Sequence, residues 1–142
     1  MKRKAKAVWT GDLTQGKGKI DTESGVLKQV AYKFTTRFED EPGTNPEELI
    51  AAANAACYSM AFSLTLKEKG YEPEMVETNA TCVLSKVGDG FEITKMILDV
   101  KVKAKGLDEE SLDEAAEATD EECIVSNLLV KGLEIERKAS LA

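Results

Sequence analysis

The chain has 142 residues, a net charge of −7 from 19 basic and 26 acidic residues, three cysteines and no histidine. The missing imidazole removes Ser-His-Asp triads, Cys-His dyads, histidine proton shuttles and histidine-ligated metal or haem sites. Any chemistry must run on cysteine, carboxylate, lysine, arginine or tyrosine, within what the length predicts to be one domain over residues 1–142.

The basic opening Met1–Lys6 is followed by Ala7-Val8-Trp9-Thr10-Gly11-Asp12, which is no apolar leader core. No stretch reads as the roughly 20 apolar residues of a membrane span. The expectation is therefore a cytoplasmic protein without membrane contact, whose cysteines are thiols or redox groups rather than structural disulfides. The acidic balance offers no basic stripe for nucleic acid. Three cysteines without Cys-x-x-Cys give no four-thiolate metal site, so neither metal nor cofactor is expected.

Lys4 to Trp9 alternates as a strand, Gly16–Ile20 starts a second, and Val26 to Phe34 reads as a third after the turn Thr22–Gly25. Gly16-x-Gly18 and Gly88-Asp89-Gly90 read as turns, because neither leads from a strand into a helix as a phosphate loop must.

Thr44-Asn45-Pro46-Glu47-Glu48 is a helix start. Asn45 caps, Pro46 fits the first helical position, and the two glutamates face the positive end of the dipole. The helix runs to about Lys69, some 24 residues or about 36 Å, and Gly70 stops it. Between Leu49 and Leu66 it is apolar on nearly every side, with only small polar residues such as Asn54, Ser59, Ser63 and Thr65. Such a helix is buried all round, which a single chain of this size can hardly achieve, so a second subunit is expected to cover part of it.

Met75–Val87 and Phe91–Lys103 form a hairpin about Gly88-Asp89-Gly90. Val76, Thr78, Ala80, Cys82 and Leu84 share one face of its first strand, and Met96, Leu98, Val100 and Val102 one face of its second. An acidic helix begins near Gly106 and Asp108, and its acidic runs read as a solvated face rather than a calcium loop. A shorter helix follows around Glu121–Leu129, and Leu133–Arg137 closes the chain as a strand. The order β-β-β-α-β-β-α-α-β is α+β, with antiparallel sheet and one long buried central helix.

Cys82, between Ala80 and Leu84, reads as a small core hydrophobe. Cys57 lies mid-helix among alanines, which suits an inert buried thiol as well as a reactive one. Reactivity needs the thiolate, and a free thiol near pKa 8.5 is only a few per cent ionised at neutral pH. Lowering that value by about two units takes roughly 2.7 kcal/mol. Without histidine the cation must be Lys or Arg, and Arg37, in Thr35-Thr36-Arg37-Phe38-Glu39 just before the helix, is the natural candidate. Cys123, at the start of the last helical segment, is either a core residue or a thiol able to resolve an oxidised Cys57.

An ordered set of motifs then stands out: Trp9-x-Gly11-Asp12, Gly16-x-Gly18, Thr22-Glu23-Ser24-Gly25-Val26-Leu27, Thr36-Arg37-Phe38-Glu39, Gly43-Thr44-Asn45-Pro46-Glu47-Glu48-Leu49-Ile50, Ala55-Ala56-Cys57-x-Ser59-Met60-Ala61, Phe91-x-Ile93-Thr94-Lys95 and Cys123-x-Val125-Ser126. On these the chain resembles the OsmC/Ohr family of osmotically induced and organic hydroperoxide resistance proteins, most closely its OsmC branch, over nearly its whole length. The resemblance implies an intertwined homodimer with active sites at the interface. It implies a peroxidase in which Cys57 is the peroxidatic thiolate and Cys123 resolves its sulfenic acid as a disulfide. Arg37 and Glu47 would form the charged pair that activates Cys57. Organic hydroperoxides would be the substrates, preferred over hydrogen peroxide, and a dithiol, such as a lipoylated protein, the reductant. A non-catalytic dimer of the same fold, binding a small ligand or fatty acyl group, is the alternative.

Helix geometry bears on this. Glu47 and Cys57, ten positions apart on one helix, are separated by about 15 Å along the axis and about 280° around it, so a Glu47 that serves Cys57 must come from the partner subunit. One departure concerns the family's proline after the second cysteine, which is Ile124 here.

Overall fold

A computed structural model of the chain describes residues 1–132 and 134–141. The chain divides into two units, Met1–Leu49 and Ile50–Ala142.

The first unit carries strands β1 (Ala5–Thr10), β2 (Lys17–Thr22) and β3 (Val30–Tyr32), ordered β1-β2-β3 and antiparallel throughout. The register places Trp9 opposite Gly18 and Gly18 opposite Tyr32. The two rings meet over that glycine with centroids 5.4 Å apart. A Cβ at Gly18 would overlap the Tyr32 ring, and one at Gly16 would sit 2.6 Å from Trp9 Nε1. The Gly16-x-Gly18 pair thus clears space for aromatic packing; Gly18 lies within β2 rather than in the expected turn.

The third strand is shorter than the expected Val26–Phe34 span. Thr22 and Asp21 capture the backbone ahead of it: Leu27 N donates to Thr22 Oγ1 at 3.0 Å, and Gln29 N to Asp21 Oδ1 at 2.9 Å. Gln29 takes a positive φ of 54°, which ends any extended run there. Phe34 then opens a helix not foreseen in the sequence, α1 (Phe34–Phe38).

Helix α2 (Pro46–Glu68) begins in the first unit and continues into the second. Its cap is the expected one: Asn45 Oδ1 accepts from Glu48 N at 2.8 Å. Gly70, at φ +89°, ends it, with Tyr71 N bonded to Leu66 O at 2.9 Å.

In the second unit β4 (Pro73–Val87) and β5 (Gly90–Ala104) form the expected hairpin, turning at Gly88 with φ +58°. Helix α3 (Glu109–Glu122) is capped by Asp108, whose carboxylate accepts from Ser111 N at 2.9 Å, and α4 (Ile124–Val130) follows after Cys123. Strand β6 (Glu134–Leu141) pairs with β5 in parallel, not antiparallel. The helical crossover α3–α4 returns the chain in the same direction, which a tight turn cannot do. Leu133, the first residue of the expected closing strand, lies outside the described residues.

Tyr58, Phe62 and Leu66 of α2 pack with Met96, Leu98, Val100 and Val102 of β5 and with Leu112, Ala115 and Ala116 of α3. Beyond Glu47 in its first turn, the buried positions of α2 are Asn54, Tyr58, Phe62, Thr65 and Leu66, one stripe at helical spacing. The opposite side is bare in a single chain, with Met60 76% and Leu64 55% exposed. The helix also corrects one expectation: at 23 residues and mean hydropathy 1.5 it is long and apolar enough to cross a membrane. Its alanines supply that hydropathy, and its buried stripe anchors the core of the second unit.

Candidate active site

The charged pair is assembled in the first unit by local bonds. Thr36 Oγ1 donates to Lys33 O at 3.0 Å or Thr44 O at 2.9 Å, and Asn45 Nδ2 donates to Thr36 O at 3.1 Å. These bonds tie α1 to the first turn of α2. Arg37, on α1, thereby faces Glu47, on α2. Its Nη2 lies 2.8 Å from Glu47 Oε1, and its Nε donates to both carboxylate oxygens at 3.1 and 3.2 Å. Guanidinium suits this forked contact. The Glu47 side chain is 8% exposed, against 39% for Arg37, so the cation keeps an outward side while its partner is enclosed. An aromatic-walled cavity of about 240 Å³ includes Arg37, with Trp9, Leu13, Tyr32, Phe34 and Phe38 around it.

The thiol pair is assembled in the second unit. Cys57 is partly buried on α2, and Cys123 is fully buried between α3 and α4. Cys57 is near enough to Cys123 to act on its thiol, and it packs against the core that holds Cys123. Burial pushes the Cys123 thiol up from its ordinary value. The Ser126 hydroxyl and N–H, short of a full cap bond, draw it down, and neighbouring Cys57 pushes it up. Cys123 therefore rests protonated at neutral pH. Ile124, in the place of the family proline, does not prevent the turn: α4 starts there, and Asn127 N bonds Cys123 O at 2.9 Å. Cys82 packs partly buried against the same core.

Of the four residues singled out in the sequence, the structure brings together Arg37 with Glu47 and Cys57 with Cys123, each pair within one unit. Sequence reasoning missed two groups. Asn54, fully buried, accepts from Ser126 Oγ at 3.0 Å and faces Cys123 Sγ at 3.9 Å. Its signal was a polar residue three positions before Cys57 in an apolar run. The second group is Tyr58, whose hydroxyl donates to Asp120 Oδ1 at 2.8 Å, while Arg137 Nε holds Asp120 Oδ2 at 3.1 Å. Burial, then the carboxylate beside it, pushes the Tyr58 phenol up. Among the described residues no cluster of acidic residues and cysteines could hold a metal ion.

The OsmC-like protein family matches residues 38–138. Peroxiredoxin OsmC of Escherichia coli is 50% identical over 127 residues, 89% of each chain. Organic hydroperoxide resistance protein OhrB of Bacillus subtilis is 31% identical over 121 residues, 82% of this chain and 87% of that one. The crystal structure of OhrB superposes with a TM-score of 0.75 at 28% identity, covering 96% of this chain and 98% of the other. With the family match running over residues 38–138, which include Glu47, Cys57 and Cys123, the chain belongs to the OsmC-like family.

Proposed function

We propose that the protein is a cytoplasmic, homodimeric hydroperoxide reductase that works through Cys57 and Cys123. The observation that carries this reading is the meeting of those two thiols, from distant parts of the sequence, in a chain half identical to a protein named a peroxiredoxin.

The Cys57 thiolate attacks the terminal oxygen of the hydroperoxide. The O–O bond breaks, the leaving alkoxide takes a proton from solvent and departs as the alcohol, and Cys57 becomes a sulfenic acid. Cys123 condenses with it, water departs, and an external dithiol, such as a lipoylated protein, reduces the resulting disulfide. Arg37, oriented by Glu47, favours the thiolate over the thiol. The offset between Glu47 and Cys57 along the continuous α2 supports a pairing in which the charged pair of one protomer serves the thiol of the other. The bare Met60–Leu64 stripe of α2 supports such a dimer, and the aromatic cavity beside Arg37 supports organic over hydrogen peroxide as substrate.

The test is intact mass after one equivalent of cumene hydroperoxide. A loss of two hydrogen atoms and a Cys57–Cys123 crosslinked peptide are expected. If Cys57 is only overoxidised, Cys123 has no resolving role, and an active Cys57→Ser variant would sink the whole reading.

A further inference from the structure

Asn54 stands one turn before Cys57 on α2, at the i, i+3 spacing that makes two side chains neighbours on a helix face. It is fully buried in the second unit. Its carbonyl oxygen is in use, accepting from Ser126 Oγ at 3.0 Å and facing Cys123 Sγ at 3.9 Å. Its amide nitrogen, Nδ2, is buried with no hydrogen-bond partner among the described residues. Buried donors are almost always paired, so an exception beside two reacting sulfurs calls for an explanation. Packing alone would be met by an apolar residue, as at most other buried positions of this helix.

We propose that Asn54 is a positioning residue for disulfide formation: its carbonyl oxygen, shared with Ser126, holds the Cys123 thiol, and its unpaired amide takes the oxygen that peroxide leaves on Cys57. The inference rests on the two-thiol reading above. In the reduced protein the amide lacks an acceptor; in the sulfenic acid Cys57 carries one. The Cys123 sulfur then attacks the Cys57 sulfur. The S–S bond forms and the S–O bond breaks, its electron pair leaving with the oxygen. That oxygen takes the Cys123 proton and departs as water. The hydroperoxide, already reduced to alcohol, is the oxidant, and Asn54 neither gains nor loses a proton. Its N–H stabilises the charge that develops on the departing oxygen. The order of events fits the surroundings of Cys123. Cys57 is one of the neighbours that push the Cys123 thiol up, so oxidation of Cys57 changes the surroundings of the attacking thiol.

The experiment follows Asn54→Leu, of similar volume, and Ser126→Ala by mass spectrometry after cumene hydroperoxide, with Cys123→Ser as the limit in which no disulfide forms. The readout is how oxidised Cys57 partitions between disulfide and sulfinic acid, which a purely structural role would not move. In Asn54→Leu disulfide formation slows by about tenfold or more and the sulfinic fraction rises accordingly. Ser126→Ala slows it by about threefold, since it removes one neutral hydrogen bond to the Asn54 oxygen. Wild-type partition in a folded Asn54→Leu overturns the proposal. If circular dichroism shows that this variant does not fold, wild-type partition in Ser126→Ala overturns it instead. A wild-type protein that forms no disulfide at all removes the two-thiol reading first, and the role of Asn54 with it.

Discussion

The charged pair and the thiol pair are built in opposite ways. Arg37 and Glu47 are ten residues apart and are brought together by a short helix, a threonine and an asparagine cap. Cys57 and Cys123 come from distant parts of the sequence and meet only because α2, β5 and α3 share a core. Arg37 keeps access to water, whereas Cys123 is shut away from it. The difference follows from what each group must be. A guanidinium stays charged at any physiological pH and needs only orientation. In the proposed reaction Cys123 resolves and must stay neutral until Cys57 is oxidised, and burial favours that.

The sharpest break of the comparison is chemical. Cys57→Ser should lower peroxidase turnover by about 10³-fold or more while leaving the Arg37–Glu47 contact and the fold in place, read by steady-state assay beside circular dichroism. Next in size, Phe62→Ala empties part of the core that unites the thiols, for about 3–5 kcal/mol in chemical denaturation. A comparable loss from Arg37→Ala would contradict the idea that the charged pair is local. Arg37→Ala should instead act on rate, slowing Cys57 oxidation by about 10²-fold, as expected for one lost charge-stabilising group. If stopped-flow oxidation rates are unchanged, the two pairs do not cooperate.

The smallest effect concerns Tyr58→Phe, which removes the hydroxyl that donates to Asp120 and should cost about 1 kcal/mol at neutral pH. Its sign reverses in alkali. The folded state holds the Tyr58 phenol protonated above the ordinary tyrosine range, so the unfolded chain loses this proton first as pH rises. The stabilisation is complete below about pH 10 and is lost progressively above it. Denaturation midpoints measured across that range should therefore fall less steeply for Tyr58→Phe than for the wild type.

Much of this was legible beforehand because the signals were local. Asn45-Pro46-Glu47-Glu48 and Gly70 bound α2, and period-two alternation assigned Met96, Leu98, Val100 and Val102 to the core face of β5. What escaped was non-local or carried by side chains. Asp21 and Thr22 shorten β3 through bonds to residues five to eight positions on, which propensity does not register. The parallel pairing of β6 depends on the path of two helices. Asn54 looked like one of several small polar residues on α2 until Ser126 and Cys123 arrived beside it from the far end of the unit.

The sheet of the second unit also imposes an order on folding. Its β4–β5 ladder zips outward from a two-residue turn, so each pairing closes only a short loop. Strand β6 can join β5 only after α3 and α4 have spanned the crossover, a much larger closure. Arg137 sits on that late strand, and Asp120 waits for it on α3. Amides of β6 should accordingly exchange with solvent sooner than those of β5, and the thiols should meet before the last strand is locked.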